Sequence, residues 1–392
     1  MNRYAITGLG IVSAQAIGAD GWLEAVRAGR ALDHREPIES FDAARYPGAR
    51  VAEVRNFDPA SFLGEKGLRT LDRLTKMIVV ATRQALEHAG IKSGGRFISM
   101  SPTRVGFCCS NAHGSVEAIV ETDRIALLED PRYINPSKFP NTVANSAAGY
   151  ASIWEDLRAL NVAVSNGNCG ALDTLSCADM FFQTDRADAI LIGGAEVMHE
   201  ALYMAFRRAG FCGPSSRTVL GEGAAIFCLE PEDIAADRGA KIMAYVTGYG
   251  TAFVAPTRAS QVVAPSKEAM TRAILNALDA AELRPSDIDM VASGVCGFDL
   301  MDTPEKAAIA DVFGDSIAVC APKALVGETL GASGAMAMAS ALGWMQSDQS
   351  VNFAPTLISG HFLKSPSAVL VTSIGFYGNA SAVVMQRFQK KI

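Results

Sequence analysis

Residues 163–182 read AVSNGNCGALDTLSCADMFF, and the rest of the chain is best understood outward from this stretch. A β-prone run, Val162–Ser165, leads into a turn in which Gly167 and Gly170 flank Cys169, and Gly170–Phe182 then has helical spacing. Glycine lets the backbone take conformations that turn a neighbouring side chain outward, as in a nucleophile elbow. A cysteine opening a helix also feels the positive end of the helix dipole, which favours its thiolate. A buried structural cysteine at a glycine-rich turn carries the same signature, so the turn alone leaves both readings open.

On either side, strand-like and helix-like stretches alternate. Ala5–Val12, Val105–Cys109, Ala187–Gly193 and Ala224–Leu229 read as strands, and Arg73–Gly90 as a helix with a glycine stop. The polar patch EPEDIAADRGAK, Glu230–Lys241, is the best internal boundary. After it the order restarts, with strands expected at Ile242–Gly248, Ile288–Ser293, Ile317–Cys320, Ala368–Ser373 and Ser381–Met385, and helices at Ser266–Ala281 and Gly331–Met345. Such alternation implies βαβ units and a mostly parallel sheet. Two rounds of it suggest a duplicated α/β body, divided at 1–238 and 239–392, although no strong residue identity links the halves.

Composition narrows the function. Of 392 residues, 49% are hydrophobic and 19% charged, which excludes a disordered chain. A net charge of −6 argues against nucleic acid as a partner, because phosphate neutralisation needs a basic surface. Gly, Asp or Arg interrupts the apolar runs well short of the roughly 20 residues that span a bilayer. The opening MNRYAITGLG has no secretory h-region, so a cytoplasmic location is expected. The eight cysteines are scattered, with no CxxC and no metal-ligand spacing. GLGIVSAQAIG lacks dinucleotide spacing, and no cofactor is implied. Asp302 and Glu305 read as a helix N-terminal capping feature rather than an acid/base dyad.

Seven segments, in order, resemble the β-ketoacyl-acyl carrier protein synthase family. RYAITGLGIVSAQAIG is similar to its opening strand and NPSKFPNTVANSAAGYASI to its dimer-interface segment. NGNCGALDTL matches the nucleophile turn, with ADAILIGGAE and GEGAAIFCLE after it. PKALVGETLGASGAMA and SIGFYGNASAVV match the second-histidine motif and the terminal glycine loop. The resemblance implies a thiolase-like duplicated fold, layered α/β/α/β/α with two mixed, mostly parallel sheets. It implies Cys169 as acyl-accepting nucleophile, the Cys169 and Phe376 amides as oxyanion donors, Phe376 as gate, and Lys323 as the buried lysine. Acyl groups would arrive on the phosphopantetheine arm of an acyl carrier protein, and the partner would be a paralogous ketosynthase or a second copy.

Both histidines of the family's Cys-His-His site are replaced. VCGFDLMDTPEKAAI falls where the family has His-Gly-Thr-x-Thr-Pro, putting Cys296 at the first histidine and Phe298 at the threonine. Glu328 stands at the second, within an otherwise matching Lys323–Gly334. An ionised carboxylate accepts hydrogen bonds and donates none, so it opposes the enolate that decarboxylation creates. Ala337 stands where the lysine's usual glutamate partner would be, so Glu328 is expected to pair with Lys323. FCGPSSRTVLGEG, Phe211–Gly223, is compressed, and the terminal loop lacks a threonine before Asn379. These departures favour a non-condensing, chain-length-factor-like subunit paired with an active synthase, although retention of Cys169 is atypical of such subunits. Alternatives are an acyltransferase using Glu328 or Cys296 as base, an unusual Cys-Cys-Glu synthase, and a noncatalytic scaffold.

Overall fold

The computed structural model describes residues 3–32, 37–258, 261, 263–347, 351–361 and 365–388. Apolar runs without polar alternation form strands covered on both faces, and Tyr4–Ser13 (β1) is such a run, buried along its whole length. Val105–Ser110 (β2), Asn161–Val164 (β3), Ala189–Glu196 (β4) and Gly223–Pro231 (β5) complete the first half of the sheet. Ala244–Phe253 (β6), Met290–Ala292 (β7), Ala318–Cys320 (β8), Leu357–Ser359 (β9), Ala368–Ile374 (β10) and Asn379–Arg387 (β11) form the second.

The order across the sheet is β9–β8–β7–β10–β11–β6–β1–β5–β4–β2–β3. The two expected sheets are the halves of this one, joined where Tyr4–Ile6 pairs antiparallel with Ala244–Val246. Within this sheet, parallel pairing is confined to β2 with β3 and β4, and to β7 with β8 and β10. The other pairings of this sheet are antiparallel and outnumber the parallel ones, which corrects the expected parallel majority. The reason is connectivity. Parallel neighbours need a long crossover, whereas β10 and β11 are joined by a short turn and fold back on each other.

The helices are Ala19–Ala28 (α1), Arg73–His88 (α2), Val116–Leu128 (α3), Ser146–Glu155 (α4), Gly170–Gln183 (α5), Glu200–Arg208 (α6), Lys267–Ala280 (α7), Asp299–Phe313 (α8) and Ser333–Gln346 (α9). Helices α5 and α9 form the central layer and touch strands of both halves. From Ser333 to Met345, α9 is buried on every side, which its small residues permit. Helices α2 and α4 cover the outer face of the first half, and α7 and α8 that of the second. The layers therefore run α/β/α/β/α.

The duplication is written in residues at one place. Thr7-Gly8-Leu9-Gly10 in β1 and Thr247-Gly248-Tyr249-Gly250 in β6 share a pattern, and each strand bulges there, between Ile6 and Gly8 and between Val246 and Gly248. A Cβ at Gly8 or Gly10 would stand 2.3 Å or 1.8 Å from the Ala85 or Ala81 carbonyl of α2. At Gly248 or Gly250 it would stand 2.2 Å from the Ala277 or Ala273 carbonyl of α7. Glycines on the strand and alanines four apart on the helix let both pairs approach equally closely.

Candidate active site

Cys169 closes a 3-10 turn, Gly167–Cys169, that runs into α5. Gly167 holds φ +55, and a Cβ at Gly170 would meet Ser110 Oγ at 2.3 Å, so both flanking glycines are needed. The turn is pinned to β10. Ser373 Oγ donates to the Asn168 carbonyl at 2.8 Å, and Cys169 Sγ donates to the Ser373 carbonyl at 3.3 Å. Cys169 is fully buried. That burial, reinforced by the Asp173 charge, pushes its thiol well above the ordinary range. The thiolate expected from the helix dipole is therefore not favoured: desolvation outweighs the dipole.

Lys323 and Glu328 form an ion pair, with Nζ 2.6 Å from Oε2 and side chains 9% and 0% exposed. Nζ also donates to the Gly294 carbonyl at 2.6 Å. Burial, the largest single influence, would lower the Lys323 pKa, but Glu328, Cys296 and Glu305 together outweigh it and hold the ammonium charged. Glu328 Oε2 accepts a second bond, from Asn168 Nδ2 at 3.2 Å. Oε1 accepts from the Leu330 amide at 2.8 Å and from Ser333 Oγ. Four donors therefore occupy the carboxylate, two of them at the N-terminal end of α9, where the helix dipole favours an anion.

Cys296 is tied to Asp302: its amide donates to Oδ1 at 2.9 Å, the Gly297 amide donates to Oδ2 at 2.9 Å, and Sγ lies 3.6 Å from Oδ1. Burial raises the Cys296 thiol pKa against the opposing pull of Lys323. Asp302 and Glu305 lie on α8, but they do not cap it. Glu305 Oε1 accepts from the Gly294 amide at 2.8 Å and from Thr372 Oγ1 at 2.6 Å. The two carboxylates instead hold the loop 294–297, which corrects the capping expectation. Glu305 Oε2 is buried without a partner, and burial raises that carboxyl's pKa.

No described histidine replaces the missing pair. His88 Nδ1 lies 3.3 Å from the Leu9 amide, His199 Nδ1 caps α6 through the Ala201 amide, and His361 is exposed. His113 sits beside Glu196 and packs edge-on against Phe206. His34 lies outside the described residues.

Two family models cover most of the sequence: "Beta-ketoacyl synthase, N-terminal domain" matches residues 1–235, and "Beta-ketoacyl synthase, C-terminal domain" matches 243–356. The chain belongs to the β-ketoacyl synthase family. It is 31% identical to the 3-oxoacyl-[acyl-carrier-protein] synthase 2 of Coxiella burnetii over 362 residues, 85% of this chain and 83% of that protein. In fold it is similar to the ishigamide ketosynthase/chain length factor, at a TM-score of 0.87 and 23% identity, covering 99% of this chain and 100% of that one. A type II polyketide ketosynthase solved with its acyl-carrier protein gives a TM-score of 0.81 at 20% identity, over 99% and 100% of the two chains.

For a β-ketoacyl synthase this site is crowded with carboxylates. Glu196, at the end of β4, is another: Oε2 accepts from the Ala112 amide at 2.8 Å and from the Gly331 amide at 3.1 Å. Burial holds its pKa up at about 7. Sequence reading missed Glu196, Asn168, Ser333 and Ser373. Only Ser333, five residues after Glu328 at a helix start, left a local signal. The rest come together through contacts between distant segments. A cavity of about 430 Å³ opens beside the ion pair, with Cys296, Lys323, Lys306 and Ile358 on its walls, and Cys169 is not part of its lining. Among the described residues, no helix is long and apolar enough to cross a membrane, and no three metal-binding side chains cluster.

Proposed function

We propose that this chain is a non-condensing, chain-length-factor-like subunit of a fatty acid or polyketide system, and that it works paired with a Cys-His-His ketosynthase served by an acyl carrier protein. The observation that carries the reading is the state of Glu328. Decarboxylation of a malonyl thioester builds negative charge on the thioester oxygen, and that charge needs hydrogen-bond donors. At the second-histidine position stands a carboxylate with four donors already bound to it. It can neither donate to an oxyanion nor accept a proton from an acceptor alcohol or amine without giving up one of those bonds. The same saturation argues against the acyltransferase reading that would use Glu328 as base. Cys296, a thiol engaged with Asp302, is no better placed to replace an imidazole.

A second observation favours partnership. β3 ends the sheet with a neighbour on one side only, and an unprotected edge strand is a template for pairing. Helix α4 packs on this strand and exposes Ile153, and Leu127 and Leu128 of α3, Tyr133 and Phe139 are exposed as well. Most of these residues lie in or beside the segment that resembles the family's dimer interface. An obligate interface there would bury roughly 2,000 Å² or more.

The experiment is a radiolabelled malonyl condensation assay on the purified chain, alone and with an active ketosynthase. The expected outcome is no product from the chain alone, product from the mixture, and a one-to-one complex in native mass spectrometry. Robust product from the chain alone would promote the Cys-Cys-Glu synthase. Acyl loading on Cys169 without carbon–carbon bond formation would favour the acyltransferase.

A further inference from the structure

Cys169 is fully buried although its turn resembles one that presents a nucleophile. Its thiol meets the Ser373 carbonyl of β10 at 3.3 Å, and an aromatic side chain stands beside its turn. Phe376 lies against the turn itself, its Cδ2 3.9 Å from where a Cβ on Gly167 would be. Behind it, Phe376 packs on Phe211 and Phe206, with ring centroids 5.7 Å and 6.1 Å away. Phe211 packs against Phe298 in a tilted pair, centroids 4.6 Å apart, and meets Phe206 edge-on at 5.2 Å. Phe211 is 2% exposed, and the other three rings are half-buried. The four rings form one continuous apolar body between the Cys169 turn and the loop that carries Cys296.

Two of these rings come from the segments in which the chain departs from its family. Phe298 takes the place of the threonine in His-Gly-Thr, and Phe211 opens the compressed stretch FCGPSSRTVLGEG. The loop that lost a histidine thus gained a ring, and that ring seats on the first residue of the shortened stretch.

We infer that Phe298 and Phe211, with Phe376 and Phe206, form an aromatic plug that closes Cys169 to an incoming acyl thioester. Phe298 and Phe211 are then the residues that decide which subunit of a pair is loaded. A pantetheine arm carries amides that need hydrogen-bond partners, and four phenylalanine rings offer none. To reach Cys169 it must displace them. The closure stands on the ring geometry alone; its consequence for loading rests on the partner reading above.

The test is iodoacetamide labelling of the folded chain at pH 8, with the alkylated fraction of each cysteine peptide followed by mass spectrometry. Half-buried Cys177 serves as internal reference. Wild-type Cys169 should stay unlabelled while Cys177 reacts. Phe298→Ala together with Phe211→Ala should speed Cys169 labelling by about tenfold or more, the shift expected when an aromatic contact that holds a closed state is lost. If the Phe211 change prevents folding, Phe298→Thr, at a half-buried position and restoring the family residue, carries the test alone. Two results overturn the plug: wild-type Cys169 reacting as fast as Cys177, or no gain in variants that still melt cooperatively. Failure to form a complex with an active ketosynthase, with the labelling pattern as expected, would instead overturn the partner reading and leave the plug standing.

Discussion

At position 328 a carboxylate sits where an imidazole would serve condensation, and its surroundings satisfy it on every side. Lys323 supplies the charge, Asn168 and Ser333 supply side-chain donors, and the Leu330 amide supplies the fourth bond. Removing one partner of a buried ion pair leaves the other uncompensated, typically at about 3–5 kcal/mol. Glu328→Gln should therefore lower stability by about that much. Lys323→Met combined with Glu328→Gln should recover part of the loss, because an absent pair costs less than a broken one. Thermal melts of wild type, both single variants and the double variant measure this. Purely additive losses would mean that the two side chains are not coupled. The replacement itself was legible in the sequence, since Lys323 to Gly334 keeps the family pattern around it. The thiol states of Cys169 and Cys296 were not. A helix start predicts a lowered pKa for Cys169, but burial reverses that shift, and part of its surroundings is β10, a segment far away in the chain.

Strands were the most legible elements. β1, β2, β4, β5 and β10 are apolar runs buried on both faces, and that pattern survives in any context. Helices α1, α3, α4 and α6 were not anticipated, and of α8 only a start near Asp302 and Glu305 was. Much of α3 is exposed, including Leu127 and Leu128, so no clean polar face marks it, while α8 contains Pro304 in its first turns. The internal repeat is equally faint in the sequence. It consists of a Thr-Gly-x-Gly strand and a helix with alanines four apart, in which the signal is missing side chains rather than shared ones. That repeat makes an element-scale prediction. Gly10→Ala would put a methyl 1.8 Å from the Ala81 carbonyl, and Gly250→Ala one 2.2 Å from the Ala273 carbonyl. Each should destabilise by about 1–3 kcal/mol or more in urea unfolding, the range for overpacking. Gly149→Ala in α4 meets nothing within 4 Å and should instead gain up to about 1 kcal/mol from helix propensity. A loss at Gly149 as large as at Gly10 would show that close approach is not what these strands require.

Over the whole molecule, what a condensing enzyme needs from its scaffold is present, while its proton-donating side chains are not. The five layers, the Cys169 turn and the free edge of β3 accompany a site in which carboxylates and a plug of rings stand where imidazoles and an open channel would serve catalysis. Selection for a partner's shape, without selection for the chain's own chemistry, accounts for both. The claim is tested most directly by ablating one cysteine at a time in a reconstituted pair. A subunit that contributes shape and no chemistry predicts that Cys169→Ala in this chain leaves the rate of malonyl condensation by the pair within about twofold of wild type, while alanine at the partner's nucleophile abolishes it, as loss of a catalytic nucleophile does. Abolition of product by Cys169→Ala, in a pair that still assembles, would contradict it.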